Sequence, residues 1–189
     1  MSEVSLSAFD SARRAAGTAR DAESESTVAA AFVDQHYEAI HAWLWWLTRS
    51  RESAADLTQE TFAAFWESQR RGLVRDPVPW LYQIARNLWR KRAASERRHG
   101  GGVDRRRLKE EESERASERS ERDERTERIA SALGALSPAL REALLLRHTC
   151  DHSYAVIASI LAIPQPLARW RVHRACMQLR EALRSSDHA

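Results

Sequence analysis

The sequence predicts an all-α protein: two small helical domains joined by a charged flexible linker. Three observations carry this expectation. Glycine is scarce, six in 189 residues, while 30% of the chain is charged and 43% apolar. That balance suits helices with one buried face better than a sheet. Apolar residues recur at helical spacing through 28–49, 53–70, 78–98 and 129–184. Between the third and the fourth of these segments, residues 99–128 hold almost no apolar side chain and cannot build a core.

Residues 1–27 are rich in Ser, Ala and charge and read as a disordered N-terminal tail. In 28–49, Phe32, Val33, Tyr37, Ile40, Trp43, Leu44 and Leu47 mark a core stripe. The adjacent Trp45 and Trp46 cannot both point inward, so one ring is expected at a contact. A second helix over 53–70 opens on Ser53 and Asp56, three residues apart, which resembles a capping box with a shortened acid. Leu57, Thr61, Ala64 and Phe65 line one of its faces, and Arg71-Gly72 ends it. Pro77 and Pro79 mark a loop leading into a third helix, since proline is tolerated in a first helical turn. Trp80, Leu81, Ile84 and Leu88 form its expected buried side, with Arg86, Asn87, Arg90 and Lys91 opposite.

The linker follows. Residues 93–128 carry 11 acidic and 11 basic side chains, so the segment is neutral, and its Glu/Arg spacing favours partial helix towards the end. The second domain, 129–185, holds Ser137 as an N-cap before Pro138, then Leu140, Leu144 and Leu145 at core spacing. Ser153 caps a short helix that buries Ile157, Ile160 and Leu161. The turn Ala162-Ile163-Pro164 then opens a final helix, 166–184. Two helices across so short a turn form a helix-turn-helix pattern.

Composition excludes several function classes. No apolar run is long enough to span a bilayer and no secretory signal opens the chain, so a cytoplasmic protein without membrane attachment is expected. Cys150 and Cys176 lack the paired spacing of a zinc site, so no metal is expected, and no cofactor. No Gly-rich phosphate loop or nucleophile–base set is present, which argues against an enzyme and leaves no catalytic residue to assign. Charge is unevenly spread: residues 1–66 hold ten acidic and five basic side chains, whereas 169–184 hold five arginines and one glutamate. An acidic front and a basic back suit two different partners, the basic one being nucleic acid.

Three stretches together resemble one family. "DLTQETFAAFW" is similar to region 2.2 of bacterial sigma factors of the extracytoplasmic-function (ECF) group, and "PWLYQIARNLWRKRAASERR" to their region 2.3–2.4 helix. "LSPALREALLLRHTCDHSYAVIASILAIP" with the helix after it resembles region 4. The resemblance implies sigma region 2 at 28–98, for core-polymerase binding and −10 recognition, a linker at 99–128, and region 4 at 129–185 for −35 recognition. It implies a transcription initiation factor that binds the β′ clamp helices and β flap of core RNA polymerase and directs it to promoter DNA.

The same resemblance assigns residues. Asp56, Leu57, Gln59, Glu60 and Phe62 fall on the core-binding surface. Arg70, Arg71, Arg75, Asp76, Tyr82, Arg86, Asn87, Arg90 and Lys91 fall on the −10 DNA side, and Gln165, Arg169, Arg171, His173 and Arg174 on the −35 side. The alternatives are a helix-turn-helix regulator acting without polymerase docking and a helical adaptor for an acidic partner.

Two departures from the family pattern stand out. The usual Asp-Ala-Glu-Asp before the docking helix is Ser53-Ala54-Ala55-Asp56 here, so two carboxylates are missing. Some ECF subgroups resemble this arrangement and work with a Ser/Thr kinase in place of an anti-sigma factor. Phosphorylation of Ser53, Thr58 or Thr61 would restore the charge at a helix N-terminus, where it is favoured. At the recognition helix, the family's Gly-Ile-Pro-Val-Gly-Thr becomes Ala162-Ile163-Pro164-Gln165-Pro166-Leu167, and Trp170 replaces a small residue.

Overall fold

The computed structural model describes residues 29–98 and 121–186. The expected N-terminal tail and most of the linker lie outside these residues. Seven helices are present among the described residues, and no strand. Residues 29–48 form α1; then come α2 (Arg51–Arg70), α3 (Pro77–Arg98), α4 (Glu121–Ala135), α5 (Pro138–His148), α6 (Tyr154–Leu161) and α7 (Gln165–Ser186).

The chain divides into one unit ending at Glu38 and another beginning at Ala39. Of the first, residues 29–38 are helical, and the Phe32 and His36 rings stack obliquely with centroids 4.6 Å apart. Partial burial lowers the His36 pKa from its ordinary value.

The second unit has a core built largely from the predicted stripes, although Trp80, Ile84 and Leu88, expected on the buried side of α3, are only half-buried. Ile40, Trp43, Leu44 and Leu47 of α1 are buried, as are Leu57, Phe62 and Phe65 of α2 and Leu81 and Ala85 of α3. Trp45 and Trp46 are half-buried and meet edge to face at 4.6 Å, under the Arg49 guanidinium. The start of α2 differs from the sequence expectation. Its cap is Ser50, whose side chain accepts from the Ser53 N–H at 3.2 Å, so the helix begins two residues earlier and Ser53 lies inside its first turn. Arg71 closes α2, and Gly72 follows at φ +67°, the left-handed conformation that glycine adopts without Cβ strain.

Helices α4, α5 and α6 pack around α7. Arg141 fastens α4 to α5: its guanidinium donates to the carbonyl oxygens of Leu133, Gly134 and Leu136 at 2.8, 3.0 and 3.3 Å, satisfying the open end of α4. Ser153 caps α6 as expected, accepting from Val156 N–H at 3.3 Å. Ser137 occupies the cap position of α5 before Pro138 but makes no side-chain cap bond. The turn into α7 passes through Ala162 at φ +53°, and the Pro164 carbonyl accepts from Leu167 and Ala168 to start the new helix. The last residues assigned to the linker, 121–128, belong to α4.

Within this second unit, α3 also packs on α6. Gln83 Nε2 donates to Ser159 O at 2.8 Å, and the Tyr82 and His152 rings meet edge to face at 4.5 Å. The Cys150 thiol donates to Ala39 O at 3.6 Å.

Candidate nucleic-acid and partner interfaces

On α2, Asp56, Gln59 and Glu60 are exposed. Their i, i+3, i+4 spacing puts them on one face. Leu57 and Phe62 do not join them: both are buried, at 1% and 7% exposure, and hold the helix to the core. The exposed polar row and the buried apolar row are therefore opposite sides of one amphipathic helix. Asp56 also pairs with Arg92 of α3, Oδ2 to Nη1 3.6 Å.

The three candidate phosphate acceptors on α2 differ sharply. Thr58 and Thr61 are fully buried, and their hydroxyls donate to the carbonyls of Ala54 and Leu57 at 2.7 and 2.6 Å. So enclosed, both are out of a kinase's reach in this fold. Ser53 is half-buried in the first turn of α2.

The −10 candidates fall into three groups. Arg70, Arg71, Arg75 and Asp76 lie exposed around the α2–α3 loop, where Arg70 and Arg71 pair with Glu67 at 2.5 and 3.1 Å. Asn87 and Lys91 are exposed on α3. Tyr82 departs from expectation: it is fully buried, edge to face with Trp43 at 5.7 Å, because α3 is covered on a second side by residues around 152. Burial, and the neighbouring Cys150 after it, raise the Tyr82 hydroxyl pKa well above its ordinary value.

Arg86 and Arg90, the third group, both reach Glu142 of α5. Arg86 Nε donates to Glu142 Oε2 at 2.7 Å, and Arg90 Nη2 to Oε1 at 2.9 Å. Sequence reasoning missed Glu142. Its neighbours Arg141 and Arg147 make it look like one half of a surface pair, and only its place inside the run Leu140–Leu146 signalled burial.

On α7, Gln165, Arg169, His173 and Arg174 are exposed and Arg171 is half-buried. Ala168, Val172 and Ala175 form the buried side. The guanidiniums of Arg169 and Arg147 both lie near the Tyr154 ring, at 5.7 and 5.5 Å, which ties the start of α7 to α6. Trp170 and Met177, 57% and 51% exposed, share the outer surface with them. The Cys176 sulfur lies 3.5 Å from His148 Nε2, and among the described residues no group of three or more potential ligands could hold a metal. No helix among them is long and apolar enough to cross a membrane.

An exposed acidic row on α2, a cationic helix beside it and a helix-turn-helix with an arginine-rich second helix are features of a class, helical DNA-binding proteins. The comparisons narrow the class. Residues 32–99 match the family model for sigma-70 region 2, and residues 126–179 that for sigma-70, region 4. The chain belongs to the sigma-70 family, in its ECF group.

It is 29% identical over 157 residues to the ECF RNA polymerase sigma factor SigE of Mycolicibacterium smegmatis, a match covering 80% of this chain. The chain spans 60% of the length of that relative. Two solved structures share the fold. One is the sigma factor RpoE in complex with the anti-sigma factor NepR from Bartonella quintana: TM-score 0.61, 21% identity, 87% of this chain and 98% of that one. The other is CnrH in complex with the cytosolic domain of CnrY: TM-score 0.62, 23% identity, 88% of this chain and 94% of that one.

Proposed function

We propose that the protein is a transcription initiation factor that binds core RNA polymerase and directs it to specific promoters. The observation that carries this is the order of the two family matches, region 2 over α1–α3 and region 4 over α4–α7, with the polar row of α2 left open. Residues 28–98 serve core binding and the −10 element, and residues 129–185 the −35 element. Asp56, Gln59 and Glu60 meet the basic β′ clamp helices, while the buried Leu57 and Phe62 fix the angle at which that row is presented.

Region 4 sits on the β flap and offers Gln165, Arg169, His173 and Arg174 to the major groove. A recognition helix enters by its first turns, and phosphate contacts set its register. Exposed Arg75, Asn87 and Lys91 serve the opened −10 strand, where cationic side chains track the backbone. The test is transcription in vitro with purified core polymerase and genomic promoter fragments. Core-dependent initiation at defined start sites is expected. DNA binding with no effect of core would favour the stand-alone regulator.

Control centres on the N-terminus of α2. Ser53 is the phosphate acceptor that the burial pattern favours, because Thr58 and Thr61 are enclosed. A phosphoryl group there adds negative charge at a helix N-terminus, next to the docking row. An anti-sigma factor is the other regulatory partner, as RpoE has in NepR. Incubation with Ser/Thr kinase and ATP, followed by mapping of the modified residue and by core-binding assays, separates the two.

A further inference from the structure

Two arginines meet at one ring in the helix-turn-helix. The guanidiniums of Arg147, at the end of α5, and Arg169, in the second turn of α7, lie 5.5 and 5.7 Å from the ring centroid of Tyr154. The two are held differently. Arg147 Nη1 donates to His152 O at 2.9 Å and lies 3.5 Å from Asp151 Oδ1, so the protein already occupies part of its donor fork. Arg169 is exposed. A ring contact holds a guanidinium by its charge and leaves the N–H donors open, whereas a carboxylate partner would occupy them. The ring itself is fixed in place. Tyr154 opens α6 directly after the Ser153 cap, and the buried Ile157, Ile160 and Leu161 anchor that helix in the core.

We infer that Tyr154 is a positioning residue for promoter reading: its ring, braced by Arg147, presents the Arg169 guanidinium in one orientation, donors open, to a guanine of the −35 duplex. The inference deepens the sigma-factor function proposed above and rests on its placing of α7 in the major groove. Guanine offers O6 and N7 there as adjacent acceptors, which an arginine fork meets bidentately. An exposed arginine that rotates freely loses side-chain entropy in making that pair. One already held against a ring loses less. Tyr154 thus acts through Arg169 and need not touch a base itself. An exposed cation–ring contact is worth a factor of about two to five in an equilibrium constant, and that is the share of guanine preference which loss of the ring should erase.

The probes are duplexes that the wild-type full-length chain selects from a randomised pool, with purified core polymerase and, in parallel, without it. Each guanine of a selected site is replaced in turn by 7-deazaguanine, which lacks the N7 acceptor. The readout is the ratio of affinities for the guanine and 7-deazaguanine duplexes, which does not depend on the fraction of protein folded. Wild type should lose affinity at a guanine where Arg169→Ala shows a ratio near one. At that guanine Tyr154→Phe, which keeps the ring, should keep the wild-type ratio, and Tyr154→Leu should lower it about two- to fivefold. Replacing Tyr154 by phenylalanines of increasing fluorine content keeps the ring's shape and weakens its negative face stepwise. The ratio should fall along that series.

The inference is overturned if Tyr154→Leu keeps the wild-type ratio, if Tyr154→Phe loses as much as Tyr154→Leu, or if no guanine has a ratio that Arg169→Ala removes. Should Tyr154→Leu fail to fold, the fluorinated series alone decides, and a ratio flat across it overturns the inference. The parallel selections separate the layers. A core-dependent site with ratios indifferent to Tyr154 removes only the positioning role. A site selected equally well without core removes the sigma-factor function, while the ratios measured on it still decide for or against Tyr154. No selected site in either arm overturns both.

Discussion

Asp56 of α2 and Arg92 of α3 pair across the helix contact, Oδ2 to Nη1 3.6 Å, with the Asp56 side chain still 52% exposed. The carboxylate therefore has one side held by the protein and one side free for a partner. An exposed pair of this kind contributes about 0.2–1 kcal/mol. Asp56→Asn should leave the melting temperature within a few degrees of wild type. Its affinity for core polymerase, measured by surface plasmon resonance at low salt, should drop several-fold, because the docking row loses one of its two carboxylates. A variant with unchanged core affinity would remove Asp56 from the interface.

Ser53 and Thr58 are five residues apart on one helix yet should respond oppositely to a glutamate. At Ser53 the new carboxylate enters the first turn of α2, where the helix dipole favours it. Ser53→Glu should fold normally and bind core more tightly. Thr58 is fully buried with its hydroxyl on Ala54 O, so Thr58→Glu places an unpaired charge in the core. A cost of about 3–5 kcal/mol is expected, visible as a large drop in denaturant midpoint. Equal behaviour of the two variants would contradict the burial pattern.

Ala162 adopts φ +53° at the turn of the helix-turn-helix, a conformation that costs an L-residue roughly 1–2 kcal/mol. Glycine occupies such turns without that strain. Ala162→Gly should therefore stabilise the protein by about 1 kcal/mol, part of the strain being offset by glycine's greater unfolded-state entropy. Caps give a matched contrast. Ser153→Ala loses its bond to Val156 N–H and should cost about 1 kcal/mol. Ser137→Ala, which loses no cap bond, should change stability by less than ~0.5 kcal/mol. Chemical denaturation of the three variants checks the ordering.

Burial pushes the Cys150 thiol up to about 12 from its ordinary 9.0, despite the opposing effect of the Tyr82 hydroxyl beside it. The fold thus favours the protonated thiol. Its contribution is complete below pH 9.0 and is lost as pH rises towards 12, since the unfolded chain gives up the proton first. The buried Tyr82 hydroxyl acts in the same direction above its ordinary 10.0. Melting temperature should fall steadily above pH 9.0, and Cys150→Ala should flatten the first part of that fall. The slope is the readout, because the variant also loses the bond to Ala39 O.

Periodicity and turn chemistry made most of the helices legible. The stripe from Ile40 to Leu47, Gly72 after α2, Pro138 at the start of α5 and Ser153 before α6 all stand where local sequence signals put them. Local signals failed where a distant segment decided the environment. Tyr82 sits in a pattern that reads as half-exposed, and it is the packing of α6 and His152 on α3 that buries it. Glu142 beside Arg141 reads as a surface pair, and only the arrival of Arg86 and Arg90 makes its burial tolerable. Ser53 lost its role as cap to Ser50, because Ser50 is chemically as good a cap and the chain is already helical from Arg51, which leaves the Ser53 N–H in the first turn for the Ser50 hydroxyl to accept.

Arg174 is exposed on α7, one turn beyond Trp170 and away from the buried side formed by Ala168, Val172 and Ala175. It has the position expected of a phosphate contact, which adds affinity without sequence preference. Trp170, by contrast, offers an apolar ring that can pack on a thymine methyl in the major groove. Arg174→Ala should weaken binding to all −35 duplexes alike and reduce the slope of log K against log salt by about 1. Trp170→Ala should leave that slope unchanged and weaken only those duplexes whose contacted position is thymine. Replacing that thymine by deoxyuridine, which lacks the methyl group, should reproduce the effect in the wild-type protein. If both variants change the salt slope equally, α7 meets DNA through charge alone and Trp170 reads nothing.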